Sequence, residues 1–169
     1  NLNYPENLKI IRVTSAQEML EQCQNLFPID IAVCAAAVVD FQPNYQSEKI
    51  KKEESSEYNF KLSKNVDILK HLSNHVKYRP KLVIGFAAET NNILENSLKK
   101  IKDKNCDWII ANDISDKSIG FNSDNNEVTI IYKNQQIEKI SKAAKSEIAS
   151  EIVNRIIKSL GTNNVRNIN

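Results

Sequence analysis

Ile29-Asp30-Ile31-Ala32-Val33-Cys34-Ala35-Ala36-Ala37 is apolar at every position but one and runs on into Val38-Val39-Asp40-Phe41. A run of this length without period-two alternation predicts a strand over 29–37 that is buried on both faces, the environment of a parallel sheet. Upstream, residues 8–13 form a short β-branched run that reads as another strand. Ser15-Ala16-Gln17-Glu18 then has the capping-box pattern and opens an amphipathic helix to about residue 26. Downstream, residues 41–57 follow neither period and read as a long excursion or flap. The alternation resumes with a strand over 58–62, a helix over 66–76, a buried strand over 81–88, a helix over 91–104 and a third buried strand over 108–111.

Two alternating runs, 127–132 and 136–140, flank Lys133-Asn134-Gln135 and read as a hairpin; a helix over 141–160, closed by Gly161, completes the chain. The expectation is an α/β fold: a mostly parallel sheet flanked by helices, with a flap excursion and a C-terminal hairpin plus helix. It forms one domain over 1–161, followed by a frayed tail over 162–169. In such sheets ligands sit beyond the carboxyl ends of the strands, so residues 35–40, 86–92 and 112–115 are the ones to watch.

Composition narrows the function classes. The chain carries 23 Lys and Arg against 21 Asp and Glu, a net charge of +2, and is 41% hydrophobic. That balance suits an ordinary globular domain and gives little electrostatic footprint for nucleic acid. Apolar runs stop well short of the roughly 18 residues of a membrane span. No secretory signal opens the sequence, so the cytoplasm is the expected location. Cys23, Cys34 and Cys106 are far apart and read as small buried hydrophobes rather than as disulfides or metal ligands. The glycines are Gly85, Gly120 and Gly161 alone, so neither a dinucleotide fingerprint nor a Walker loop exists here.

Candidate groups each have a plain and a functional reading. Lys100 and Lys104 are one helical turn apart, on the flank of the stripe made by Ile93, Leu94, Ser97, Leu98 and Ile101. They are either two solvated lysines or a pair placed to meet phosphate. Residues 48–54 hold three lysines among acids, a solvated loop or a lid that brings a cation over developing negative charge. His71 and His75 have the i, i+4 spacing of metal ligands but no third ligand, and no metal site is assigned. Asp40 and Asp113 stand at strand ends, where a carboxylate caps the next turn or holds a ribose hydroxyl or a metal.

Three segments taken together resemble one family: Ala35-Ala36-Ala37-Val38-Val39-Asp40-Phe41 followed by Glu48-Lys49-Ile50-Lys51-Lys52; Gly85-Phe86-Ala87-Ala88-Glu89-Thr90-Asn91; and Ala111-Asn112-Asp113 with Gly120-Phe121-Asn122-Ser123-Asp124-Asn125. In order and separation they are similar to bacterial phosphopantothenate–cysteine ligases, also called phosphopantothenoylcysteine synthetases, usually the C-terminal half of a bifunctional coenzyme A enzyme. The resemblance implies a Rossmann-like homodimer that joins 4′-phosphopantothenate to cysteine with CTP and Mg²⁺ through an acyl-cytidylate. It implies that Val33, Cys34 and Ala35 line the nucleotide pocket, that Asp40 contacts CTP, and that Lys49 is the catalytic flap lysine. Val66, Asp67, Ile68 and Leu69 match a nucleotide-contacting turn in which Val66 replaces the usual Pro. Phe86 lies against the nucleotide, and Lys100 and Lys104 meet its triphosphate.

Family members begin with a strand, a Gly-rich turn, a helix and a second strand, and this chain starts after them. The expectation is an N-terminally truncated ligase domain whose activity as this fragment is in doubt. The alternative is a non-catalytic nucleotide-binding or dimerisation module. An NAD-dependent oxidoreductase lacks its fingerprint here.

Overall fold

Ser15 and Glu18 set the first helix as their spacing predicts. In the computed structural model, which describes residues 7–44, 60–89, 91–113 and 123–165, α1 spans Ala16–Asn25 and the Ser15 hydroxyl accepts the Glu18 N–H at 3.1 Å. The Glu18 carboxylate reaches back to the N–H of Thr14 at 2.7 Å, one residue farther than a standard capping box. After it comes β1, Ile31–Cys34. A two-stranded arm follows, β2 (Phe41–Pro43) antiparallel to β3 (Leu62–Lys64), then the short helix α2 (Ile68–Ser73). The chain continues through β4 (Leu82–Glu89), α3 (Ile93–Lys104), β5 (Trp108–Asp113), β6 (Asn125–Tyr132), β7 (Ile137–Ala144) and α4 (Lys145–Val165).

The main sheet has the order β1-β4-β5-β6-β7. Its core is parallel, β1 against β4 and β4 against β5, and the predicted hairpin β6–β7 adds two antiparallel strands. The hairpin turn places Gln135 at φ 69°, the left-handed residue a three-residue loop requires. Alternation along the strands divides the core between two faces. Val83, Ala87, Ile109, Ala111 and Ile131 pack under α1, α2 and α3 with Leu20, Leu72 and Ile101. Leu82, Ile84, Trp108, Ile110, Val128 and Ile130 pack under α4 through Ile148, Ile152 and Ile156, spaced one turn apart. Each Val, Leu or Ile among them contributes about 1.5–3 kcal/mol on burial.

The amino end of the parallel strands is tied by one guanidinium. Arg79 Nε donates to Ser73 O at 2.8 Å and Nη1 to Pro80 O at 2.9 Å. Its Nη2 donates to Asn105 O at 3.2 Å and to both oxygens of Asp107 at 2.9 and 3.0 Å. Asp107 in turn accepts the Val83 N–H at 2.7 Å. The ends of α2 and α3 are thereby fixed to the starts of β4 and β5.

Several sequence expectations change. Residues 8–13 form no strand, and Leu8 and Ile10 are exposed; among the described residues no strand offers them a ladder, without which β-branched propensity has nothing to pair with. The strand over 29–37 shortens to β1, which buries only Ala32 and leaves Val33 49% exposed. Its apolar continuation serves a cleft instead of a core. The strand expected over 58–62 lies at β3, and the helix over 66–76 contracts to α2. Finally, α4 passes through Gly161 to Val165, so residues 162–165 are helix rather than tail. A helical glycine costs only about 1 kcal/mol, and nothing within 4 Å would oppose a Cβ at Gly161. Residues 166–169, 45–59 and 114–122 lie outside the described residues.

Candidate functional site

A cleft of about 620 Å³ opens at the carboxyl ends of β1 and β4, where a parallel sheet leaves room for a ligand. One wall is the end of β1 and its continuation, Val33, Cys34, Ala35 and on to Asp40. The turn Val66, Asp67, Ile68 and Leu69 entering α2 lines the cleft as well, and so does Phe86 of β4, which packs with the cluster on the α4 side of the sheet. Lys100 and Lys104 of α3 close the far side. The structure therefore gathers into one space every residue that the resemblance assigns to nucleotide binding, except Lys49, which lies outside the described residues. Met19 and Cys23 of α1 also line the cleft; of the three cysteines expected to be buried only Cys106 is, while Cys23 and Cys34 are partly exposed on the cleft.

Local chemistry explains how each wall is held. Asn65, after β3, ties the arm to the cleft wall that leads into β2: its N–H donates to Asp40 O at 2.8 Å and its side chain to Val39 O at 2.8 Å. Asp67 is the N-cap of α2, its Oδ1 accepting the Lys70 N–H at 2.9 Å. Its Oδ2 accepts from the Lys104 ammonium group. Burial raises the Asp67 pKa, but the hydrogen bonds from Lys104 and the Lys70 N–H outweigh it, so the carboxyl sits below its ordinary 3.8. Lys100 Nζ lies 2.6 Å from Glu89 Oε1, and the Asn96 side chain donates to Glu89 Oε2 at 3.1 Å.

Glu89 was quoted in the sequence motif but assigned no role there. No local spacing announces it, because its partner is 11 residues away on another element. Gly85, by contrast, has a clear reason to be glycine: a Cβ there would stand 2.5 Å from Leu69 Cδ2 and 3.0 Å from Ile109 Cδ1. The first turn of α2 rests directly on the β4 backbone.

Burial pushes the Cys34 thiol up to about 11, with Cys23 and Asp67 adding to the shift. It is a neutral thiol at physiological pH and no nucleophile. Two ammonium groups, Lys100 and Lys104, meet three carboxylates, Asp40, Asp67 and Glu89, in or behind the cleft. A bare polyphosphate thus finds no net positive charge among these groups. Asp40, a hard oxygen donor on the cleft wall, fits Mg²⁺ brought in on phosphate oxygens, whereas both Asp67 oxygens are already engaged by the Lys70 N–H and Lys104.

His71 and His75 lie outside the cleft. The Nδ1 of His75 accepts the Tyr78 N–H at 2.9 Å, and its ring packs on Phe27 at 4.6 Å. His71 Nε2 pairs with the Gln24 side chain at 3.2 Å. They tie α1 to α2. No helix among the described residues is long and apolar enough to cross a membrane.

The family model described as "DNA/pantothenate metabolism flavoprotein C-terminal domain" matches residues 1–160. Among curated proteins, the chain is 39% identical to the coenzyme A biosynthesis bifunctional protein CoaBC of Borreliella burgdorferi, over 90% of this chain and 38% of that protein. It is 37% identical to the CoaBC protein of Haemophilus influenzae, over 93% and 39% respectively. It is also 37% identical to a cysteine/cysteine sulfinic acid decarboxylase from an unknown prokaryotic organism, over 90% and 42%. The chain spans about two-fifths of the length of these relatives. Among solved structures, the C-terminal domain of a CoaBC protein superposes with a TM-score of 0.74 at 33% identity, covering 95% of this chain and 72% of that one.

Proposed function

Because the chain belongs to the DNA/pantothenate metabolism flavoprotein C-terminal domain family, we propose that it forms the ligase part of a coenzyme A biosynthetic enzyme, joining 4′-phosphopantothenate to L-cysteine at the expense of CTP. The single observation that carries this reading is the convergence of the β1 end, the α2 turn, Phe86 and the two α3 lysines on one cleft.

The chemistry needs such a place. A carboxylate is a poor acyl donor because its leaving group would be oxide. One of its oxygens attacks the α-phosphorus of CTP, pyrophosphate departs, and the acyl-cytidylate is taken by the cysteine amine with release of CMP. The protein's share is to hold the triphosphate, orient the carboxylate in line and keep water from the mixed anhydride. Lys100 and Lys104 serve the triphosphate. The turn from Val66 to Leu69, with Val33, Cys34 and Ala35, serves the nucleoside, Phe86 lies against it, and Asp40 contacts CTP. Mg²⁺ bound to the triphosphate supplies the positive charge that the lysines, already paired, do not. Lys49 serves the step that forms the intermediate.

We place the enzyme in the cytoplasm as a homodimer. Support for the dimer is the arm, where Phe41, Phe60 and Leu62 are each more than half exposed, more apolar surface than a short projecting ladder carries without a partner.

The test is pyrophosphate release by the complete gene product from CTP, phosphopantothenate and cysteine. Turnover that requires all three, and accumulation of acyl-cytidylate when cysteine is withheld, are the expected results. CTP binding without turnover would instead make the chain a nucleotide-binding or dimerisation module. In the same assay Lys49→Gln is expected to slow acyl-cytidylate formation far more than it weakens CTP binding. Equal losses would make Lys49 a plain binding residue.

A further inference from the structure

We propose that Glu89 is a positioning residue for Lys100, a carboxylate set behind the cleft that holds this ammonium group against the wall facing the phosphates. The inference rests on the nucleotide reading of the cleft and names a residue that the reading itself leaves without work.

Strand periodicity puts Glu89 on the α3 side of β4, in series with Val83, Gly85 and Ala87. There it meets two α3 residues one turn apart, Asn96 and Lys100. Both carboxylate oxygens are used, Oε1 by Lys100 at 2.6 Å and Oε2 by the Asn96 amide at 3.1 Å. That amide is itself anchored to Asn91 O at 3.0 Å. The carboxylate is therefore held at two points, and its side chain is only 12% exposed.

The lysine it holds is 42% exposed and lines the cleft, whereas Glu89 does not line it. An ammonium group has three donors, so one bond to Glu89 leaves two for phosphate oxygens. A free lysine would surrender its rotamer freedom when phosphate bound. Lys100 has already lost much of that freedom to Glu89, which is preorganisation. Lys104 differs, since its partner Asp67 lines the cleft and competes with any anion there.

A plain staple between β4 and α3 would show the same distances, so the test must separate the two roles. Binding of CTP with Mg²⁺ is measured by calorimetry, and steady-state kinetics are run alongside, on the complete gene product and its variants. Glu89→Gln removes a negative charge, which by Coulomb attraction alone would favour a polyphosphate, so a CTP dissociation constant and KM raised about tenfold, with kcat held within about twofold, is the expected mark of lost positioning. Lys100→Ala is expected to cost at least as much. The double variant should bind CTP no more weakly than Lys100→Ala alone, because Glu89 acts only through the lysine.

Losses that multiply in the double variant, unchanged affinity in Glu89→Gln, or a fall in kcat at constant KM would each overturn the positioning role. If melting shows Glu89→Gln to be unfolded, Asn96→Ala takes its place. It leaves the carboxylate held at one point, with an expected affinity loss of about threefold that again vanishes in the Lys100→Ala background. If Lys100→Ala itself leaves CTP affinity unchanged, the nucleotide reading of the cleft falls, and this proposal with it.

Discussion

The two ends of the parallel strands use the same ion-pair chemistry for opposite purposes. At the amino end all three nitrogens of Arg79 donate, to Ser73, Pro80, Asn105 and Asp107. At the carboxyl end Lys100 and Lys104 each have one carboxylate partner and face an open cleft. A planar fork with many fixed acceptors locks structure, while a point charge with spare donors can accept a ligand. The difference teaches that the number of fixed acceptors around a cation, more than its burial, separates a clamp from a cation left facing open space here. Arg79 is 29% exposed and Lys104 30%.

The comparison can be broken. Replacing both Lys100 and Lys104 by alanine is expected to weaken CTP binding about 100-fold by calorimetry, with the melting midpoint shifted by no more than about 3 °C. A large drop in melting would show that the lysines are structural after all. Arg79→Ala is expected to cost about 2 kcal/mol in denaturant unfolding, with CTP affinity per folded molecule unchanged. Arg79→Lys should recover little of that loss, since one ammonium group cannot reach four acceptors. An affinity loss in either variant would join the two ends.

Smaller effects sharpen it. Gly85→Ala is expected to cost about 1 kcal/mol, because Leu69 must give way, and to weaken CTP binding through the same displaced turn; a stability loss with unaltered binding would detach the turn from the nucleotide. The smallest effect concerns acid. The folded Asp67 carboxyl sits below its ordinary 3.8, so in that range the unfolded chain binds the proton more readily. Its contribution is complete above 3.8 and is lost as pH falls through the folded value. Asp67→Asn keeps an N-cap residue but removes this charge, so denaturant unfolding below pH 4 should show a shallower pH dependence than in the parent chain.

How far the sequence could be read followed from the range of the interactions. Periodicity located α3 and put Lys100 and Lys104 on its flank, and the cap at Ser15 set the start of α1, because such signals lie within a turn of the residue concerned. The apolar run after Asp30 was harder. Ala32 belongs to the core, but Ala35 to Val39 line the cleft, and an apolar cleft wall and an apolar strand have the same composition. The ladder that would make a strand of 8–13 depends on a neighbour, which propensity does not encode. Glu89, like the Arg79–Asp107 clamp, spans elements, and no spacing rule connects its partners. The cleft residues were legible through the family resemblance that three matched segments carry, and Lys100 and Lys104 also through helical periodicity; the fold gathers all of them but Lys49, which lies outside the described residues.

Gly85 has a last consequence. With only a hydrogen between α2 and β4, the depth of the cleft is set by the van der Waals thickness of a bare peptide. Any heavier atom at that position would act as a spacer, lifting Leu69 toward the opening and leaving the pocket shallower by about the height of a methyl group. The volume available to a ligand is thus governed in part by a side chain that the protein does not have.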